Sequence, residues 1–249
     1  MWQPRILTSW RRKFSSVILS TEAIVLHSRR FGDSSRIVTA YSRELGKLGL
    51  VAKGARTASS SLGSALEPLT HVRCQVYHAK NRELHTVSKA ESLSTRRQLQ
   101  SSYEHLRCGL LMCELVMRTQ DQEQADPDVF ELLRKALDVA DGVNPDCAYS
   151  VSVAMRLRLA EVMGFGIRRD PCAPDWQSVS IDVSDGGATQ HGHGIRLARA
   201  TYDAMIRSLR GQWAPATDQM QLELESFIGM YFSHHLDSRI TSRTFTALQ

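Results

Sequence analysis

Aromatic side chains are scarce in this chain of 249 residues, at 7%. The five cysteines, Cys74, Cys108, Cys113, Cys147 and Cys172, contain no C-x-x-C pair. Odd in number and scattered, they exclude a disulfide framework and read as reduced thiols of a cytoplasmic protein, most of them core fillers. No uninterrupted apolar run approaches the roughly 18–20 residues that a membrane-spanning helix needs. No nucleophile–His–acid arrangement or glycine-rich phosphate loop is recognisable. Gly164-x-Gly166 lacks a strand before it and a helix after it, and reads as a helix stop. An enzyme is therefore not expected, and no cofactor is implied. Hydrophobic content of 42% and charged content of 23% are ordinary for a globular protein and exclude wholesale disorder.

Acidic residues are missing from one end. Met1–Leu19 carries Arg5, Arg11, Arg12 and Lys13 and no acid. Its composition superficially resembles a transit peptide, but nothing in it patterns into a core, so it reads as a disordered basic extension. Residues 1–100 hold 17 Lys/Arg against 6 Asp/Glu, and the remainder 14 against 20. A basic half joined to a mildly acidic half suggests a polyanion-binding module fused to a module with another task.

From Thr21 short apolar runs alternate with turns. Glu22–His27, Ser35–Tyr41, Leu48–Ala52, His71–His78 and Glu83–Ser88 read as strands, punctuated by Phe31-Gly32-Asp33, Leu45-Gly46-Lys47 and Lys80-Asn81. Five strands of this length suggest a small closed β-barrel over residues 20–94, with a short helix or loop at Ser60–Leu66. After about Ser94 the period becomes helical. Tyr103, Leu106, Leu110, Cys113 and Met117 are spaced to line one face. Asp126-Pro127 and Asn144-Pro145 each open a helix, with the polar residue as N-cap and proline at the first helical position. Gly142 closes the first of these, and Gly164-Phe165-Gly166 stops the second. Residues 170–195 read as an inserted hairpin or loop, and two helices near 196–210 and 217–238 complete a helical domain over residues 99–249.

The run Leu50-Val51-Ala52-Lys53-Gly54-Ala55-Arg56 places two cations around a glycine at the end of a strand, with Ser59-Ser60-Ser61 following. Such an arrangement offers charge and open backbone N–H groups to a phosphate chain. Arg29, Arg30, Arg36 and Lys47 add to it, with Phe31 as a stacking candidate beside two arginines. Tyr41 and Tyr77 are further aromatics, Tyr41 reading mainly as core. With so few aromatics, binding should rest on phosphate neutralisation with little sequence preference. His27, His71, His78 and His85 show no sign of converging and read as surface or satisfied residues, as do His234 and His235.

Together these features resemble the RecO family of bacterial recombinational repair proteins. Ala23-Ile24-Val25-Leu26, Gly32-Asp33-Ser34-Ser35 and Val51-Ala52-Lys53-Gly54-Ala55-Arg56 carry the resemblance. Pro68-Leu69-Thr70, Met155-Arg156-Leu157-Arg158-Leu159 with Gly164-Phe165-Gly166, and Ser242-Arg243 support it. The resemblance implies a multidomain α+β fold: an N-terminal five-stranded OB-fold, then a helical domain with a small zinc-ribbon-like insertion. It also implies binding of single- and double-stranded DNA, annealing of complementary strands, and work with RecR to help RecA onto DNA coated by single-strand-binding protein. The acidic, phenylalanine-ended tail of single-strand-binding protein would dock on the helical domain, with Arg107 and Arg118 as candidate contacts. Where many members carry paired C-x-x-C motifs, this chain reads Cys172-x-x-Asp175 and Gln190-x-x-His193. Cys172, Asp175 and His193 are the remaining metal candidates. Little or no zinc is expected, because a structural site wants four thiolate or imidazole ligands. Two other readings stay open: an RNA-binding OB protein with a helical dimerisation domain, and an adaptor whose barrel binds an acidic tail.

Overall fold

Short β-favouring runs, alternating with polar residues most clearly in the fourth, produce the strands β1 (Ser16–Phe31), β2 (Ser35–Ser42), β3 (Gly46–Ala52), β4 (His71–Ala79) and β5 (Leu84–Ser94), with helix α1 (Ser61–Ala65) between β3 and β4. In the computed structural model, which describes residues 16–57, 60–79, 82–169 and 172–236, these strands close into a barrel of order β1-β2-β3-β5-β4. The closure uses a parallel β3–β5 pair, and all other neighbours are antiparallel. This is the OB-fold arrangement. The basic segment 1–15, Ser59, the Lys80-Asn81 turn and Ser242-Arg243 lie outside the described residues.

Two strands run further than the sequence pattern indicates. β1 begins at Ser16, so Ser16–Leu19, placed above in the basic extension, pair with Ala79–Val76 of β4. The β-favouring run Val17-Ile18-Leu19 is long enough to extend the ladder once β4 supplies a partner. β5 continues past Ser88 to Ser94 because β4 accommodates it through irregularities at His71/Val72 and Gln75/Val76.

Period-two alternation divides β1 between two cores. Ala23 and Val25 point into the barrel with Val38, Ala40, Leu48, Leu50, Val72, Cys74 and Val76, and Ala65 and Leu66 join the same cluster. Ile24 and Leu26 point the other way, into the helical domain's core with Tyr41 and Leu69. Ala23, Ile24, Val25 and Leu26 are therefore all buried. Tyr41 is part of this seam, its hydroxyl 3.4 Å from Gln120 Oε1, and burial pushes its pKa up to about 12.

The helical domain comprises α2 (Tyr103–Thr119), α3 (Pro127–Gly142), α4 (Pro145–Val162), α5 (Arg199–Leu209) and α6 (Asp218–His235). The Asp126 side chain accepts from the Asp128 and Val129 amides, and Asn144 from that of Asp146, as capping requires. Past α4, Gly164 takes φ +90°. The stripe expected on α2 is displaced, since Tyr103 is 65% exposed while Cys108, Met112, Leu115 and Val116 are buried. Residues 110–117 are almost continuously apolar, so two stripes fit the pattern. Packing against α3, α4 and β1 selects the other one. In the inserted segment β6 (Ser178–Ile181) pairs with both β7 (Ala188–Thr189) and β8 (Ile195–Ala198).

The joint between the halves is specific. Leu69, at φ +71°, donates its N–H to Val25 O, and Val25 N–H is bonded to Thr70 O. Arg96, buried on the connecting segment, reaches Leu69 O at 2.6 Å and Asp138 at 2.9 Å.

Candidate nucleic-acid interface

Register decides which of the expected cations share a surface. At the tip of the β1–β2 hairpin Arg30 lies opposite Arg36, Arg29 opposite Ile37, and Phe31 opposite Ser35. Alternation therefore puts Arg29 and Phe31 on one face of the hairpin and Arg30 with Arg36 on the other. Arg29, Arg30 and Phe31 are exposed, Phe31 by 49%. Like charges directly opposed across a ladder destabilise it unless an anion sits nearby. Glu67, 2.8 Å from Arg36, supplies one inside the protein. Arg36 also donates to Ser28 Oγ and is half-buried, so its charge is largely committed. Arg30 is exposed, and among the described residues no carboxylate pairs with it.

The end of β3 reaches the same end of the barrel, since Ala52 pairs with Arg36. In the turn that follows, Gly54 takes φ +68° with open space where a Cβ would stand. Lys53 is exposed beside it. Arg56 is tied to the hairpin tip: its N–H donates to Ser34 O, and its Nη1 to Gly32 O at 3.1 Å and Asp33 O at 3.0 Å. A guanidinium holding the carbonyls of the β1–β2 turn fixes that turn against the Lys53-Gly54 turn while it stays at the surface. Arg29, Arg30, Phe31, Lys53 and Arg56 thus surround one end of the barrel, with Arg36 beneath.

Lys47 does not belong with them. It pairs with Tyr41 at the opposite end of β3, and its Nζ donates to Met117 O, 2.7 Å away in the last turn of α2. Burial lowers its pKa, against the opposing pull of Asp121. A cation at a helix C-terminus meets unsatisfied carbonyls and the negative end of the dipole, so Lys47 docks the barrel on the helical domain. Of the other aromatics, Tyr41 is in the seam and Tyr77, though exposed, pairs with Ile18 at the far end of β1. Among the described residues Phe31 is the aromatic that shares the basic end.

On the helical domain Arg107 and Arg118 are separated. The Arg107 guanidinium lies over the Tyr149 ring at 5.4 Å and bonds Gln221, at a cleft of about 360 Å³ that Glu104, Asp146 and Asp218 also line. Acids on its wall make that cleft unsuited to an acidic tail. Arg118 is half-buried and paired with Glu114 at 3.1 Å. A different groove, about 130 Å³ between α3 and α4, is lined by Leu132, Val139, Met155 and Trp213, with Lys135 and Arg158 at its edge.

In the inserted segment Asp175 and His193 are exposed and Cys172 is half-buried against the helical core. The structure does not bring these three to within ligand distance of one another. Among the described residues the grouping that does meet that distance is His78, His85 and Glu123. The barrel histidines therefore converge after all, in part. With Tyr77 opposite Thr86, the next rung sets His78 beside His85. Hairpin register is a signal that could have paired them. Glu123, from the loop between α2 and α3, had none. Arg96 and Arg156 also escaped the sequence reading, for nothing in a sequence marks an arginine as buried.

An OB barrel with cations gathered at one end, fused to a helical bundle, defines a class of modular two-domain protein. Within that class, the N-terminal model of the Recombination protein O family matches residues 17–96, and its C-terminal model residues 100–244. The chain belongs to that family. It is 27% identical to a DNA repair protein RecO of Anaeromyxobacter sp. strain K, over 89% of this chain and 93% of that one. With the RecO of Rubrobacter xylanophilus it shares 29% over 78% and 73% of the two chains. With that of Salinibacter ruber it shares 37%, over about half of each, 48% and 46%. No helix among the described residues is long and apolar enough to cross a membrane.

Proposed function

We propose that this chain is a DNA-repair mediator that binds single- and double-stranded DNA through the basic end of its barrel and anneals complementary strands. The carrying observation is the exposed set Arg29, Arg30, Lys53 and Arg56 around two turns, with Phe31 the one ring beside them among the described residues. An annealer must neutralise repulsion between two strands while leaving base edges free. Many cations and few stacking rings suit that task better than they suit coating. No nucleotide-binding motif accompanies them, so annealing proceeds without nucleotide hydrolysis. With RecR, the protein helps RecA onto strands coated by single-strand-binding protein.

The acidic, phenylalanine-ended tail of single-strand-binding protein docks in the groove between α3 and α4. Leu132, Met155 and Trp213 offer an apolar seat for the terminal ring, and Lys135 and Arg158 meet the carboxylates. Arg158 is already oriented by donating to Leu209 O at 2.9 Å. The decisive experiment measures annealing of complementary strands, bare or coated with intact or tail-deleted single-strand-binding protein, with an RNA competitor present. Faster-than-spontaneous pairing on bare DNA, and faster pairing on the intact-tail coat, are expected. Absence of acceleration sinks the annealing reading. Equal rates on the two coats sink the docking reading, and preferential capture by RNA favours an RNA-binding role.

A further inference from the structure

We infer that His78, His85 and Glu123 form a site for one divalent transition-metal cation at the seam between the barrel and the helical domain. His78 Nε2 lies 3.1 Å and His85 Nε2 2.7 Å from the same carboxylate oxygen, Glu123 Oε1. All three ligand atoms lie within 4.8 Å of one another. The two imidazoles come from facing positions of the β4–β5 hairpin and stack with centroids 4.2 Å apart. His85 is buried and His78 half-buried, while Glu123 is exposed and leaves one side open. Two imidazoles and a carboxylate around an open position is the donor set of a three-ligand zinc site, completed by solvent. Imidazole donors select zinc, cobalt or nickel over magnesium and calcium.

The backbone holds these ligands in place. Glu123, at φ +55°, donates its N–H to Lys47 O at 3.0 Å, and Gln122 bridges Lys47. The same loop closes so tightly on Gly46 that a Cβ there would fall 2.1 Å from Gln124 O. The carboxylate is thus delivered to the histidines by main-chain contacts, independently of the ligands themselves. Loading has a defined cost. His85 Nδ1 accepts from Ala79 N–H at 3.3 Å, so the neutral ring carries its proton on Nε2. A cation on Nε2 moves that proton to Nδ1, where it faces the Ala79 N–H, so loading gives up both this long hydrogen bond and the one from His85 Nε2–H to Glu123 Oε1 in exchange for metal bonds, with no net loss of a proton. Affinity therefore falls below that of a closed four-ligand site, and the bound cation ties the β4–β5 hairpin to the α2–α3 loop.

The test uses the full chain, freed of metal by chelation, titrated calorimetrically with Zn²⁺ and followed in parallel by Co²⁺ absorbance and by melting temperature. His85 is buried and is left alone. His78→Ala and Glu123→Gln change accessible side chains. One zinc per chain is expected in the wild type and in Cys172→Ser, with a melting temperature that rises with zinc. Binding should be weakened at least about tenfold in each of the two ligand variants. A wild type that binds no stoichiometric zinc, binding unchanged in either ligand variant, or binding lost in Cys172→Ser would each overturn the assignment.

Discussion

Arginine serves the two halves of this molecule in opposite ways. On the barrel, Arg29, Arg30 and Arg56 lie at the surface around one pair of turns. In the helical domain Arg156 is fully buried, gripping Glu225 through both nitrogens at 2.7 and 2.8 Å, while the Tyr149 hydroxyl donates to the same carboxylate at 2.7 Å. Arg96, on the connecting segment, is likewise buried against Asp138. The difference is whether folding brings a carboxylate to the guanidinium. Arg156 has one and becomes structure. Arg36 shows the intermediate case, half-buried and held by Glu67.

Removing the carboxylate partner of the buried arginine is the most severe way to probe this contrast. Glu225→Ala should cost about 3–5 kcal/mol, because it strands a charge in the core. Chemical denaturation followed by a helical signal measures it, and a loss below 1 kcal/mol would mean that Arg156 finds water or another partner. The same pair makes a pH prediction. Burial pushes the Glu225 carboxyl up, yet Arg156 and the Tyr149 hydroxyl outweigh it and hold it below the usual carboxylate range. Its contribution is therefore complete above the unfolded value of about 4.3 and disappears as pH falls through the lower folded value. Glu225→Gln should flatten that part of the acid transition.

At the surface, Arg30→Glu with Lys53→Glu should weaken single-strand binding about 10- to 100-fold across all sequences while the helical domain stays folded. If about four phosphates are neutralised, the log–log salt slope is near −2.8 and should shrink by about 1.4 in this double variant. Unchanged affinity would place the DNA site elsewhere. Arg56 is less suitable for this purpose, since its guanidinium also holds the Gly32 and Asp33 carbonyls.

Lys47 separates position from charge. Lys47→Met removes a cation from the basic half, yet DNA affinity should stay within about twofold. Stability should drop by about 1–2 kcal/mol through loss of the bond to Met117 O. A thermal melt and a binding isotherm on the same preparation decide it, and a large loss of DNA affinity would return Lys47 to the interface. The smallest effect belongs to Arg118→Ala. It removes a half-buried i,i+4 ion pair along one helix, should cost no more than about 0.5 kcal/mol, and should leave tail binding intact. Arg158→Glu, by contrast, should abolish tail binding.

Much of the fold is legible along the chain because its signals are local. Asp126-Pro127 and Asn144-Pro145 set helix starts that the structure reproduces at Pro127 and Pro145. Gly32 takes positive φ in the turn after β1, and Gly46 does so at the first position of β3, directly after the turn that the pattern puts there. The misreadings come from ambiguous or non-local features. On α2 the apolar run admits two stripes, and only the neighbouring helices choose between them. Val17-Ile18-Leu19 looks like part of a tail until β4 offers its edge. For the candidate site, Arg29, Arg30, Phe31, Lys53 and Arg56 assemble at one end of the barrel, whereas Lys47 does not. Strand register places it at the other end of β3, and its charge alone carries no such information.

The sequence alone determined a closed five-stranded barrel followed by capped helices, the resemblance to the RecO family, and the lopsided distribution of charge. Each of these is written in neighbouring residues, as alternation, a cap, a turn glycine or a motif. The tertiary structure alone decided which cations remain at the surface and which are neutralised. Arg156 meets Glu225, Arg96 meets Asp138, and Lys47 meets the end of α2 only through chain closure over long separations. The meeting of His78 and His85 with Glu123 is of the same kind, since it joins the barrel to a loop of the helical domain. Charge and ligand chemistry are properties of a residue, but availability is a property of its surroundings, and those exist only once the two halves pack.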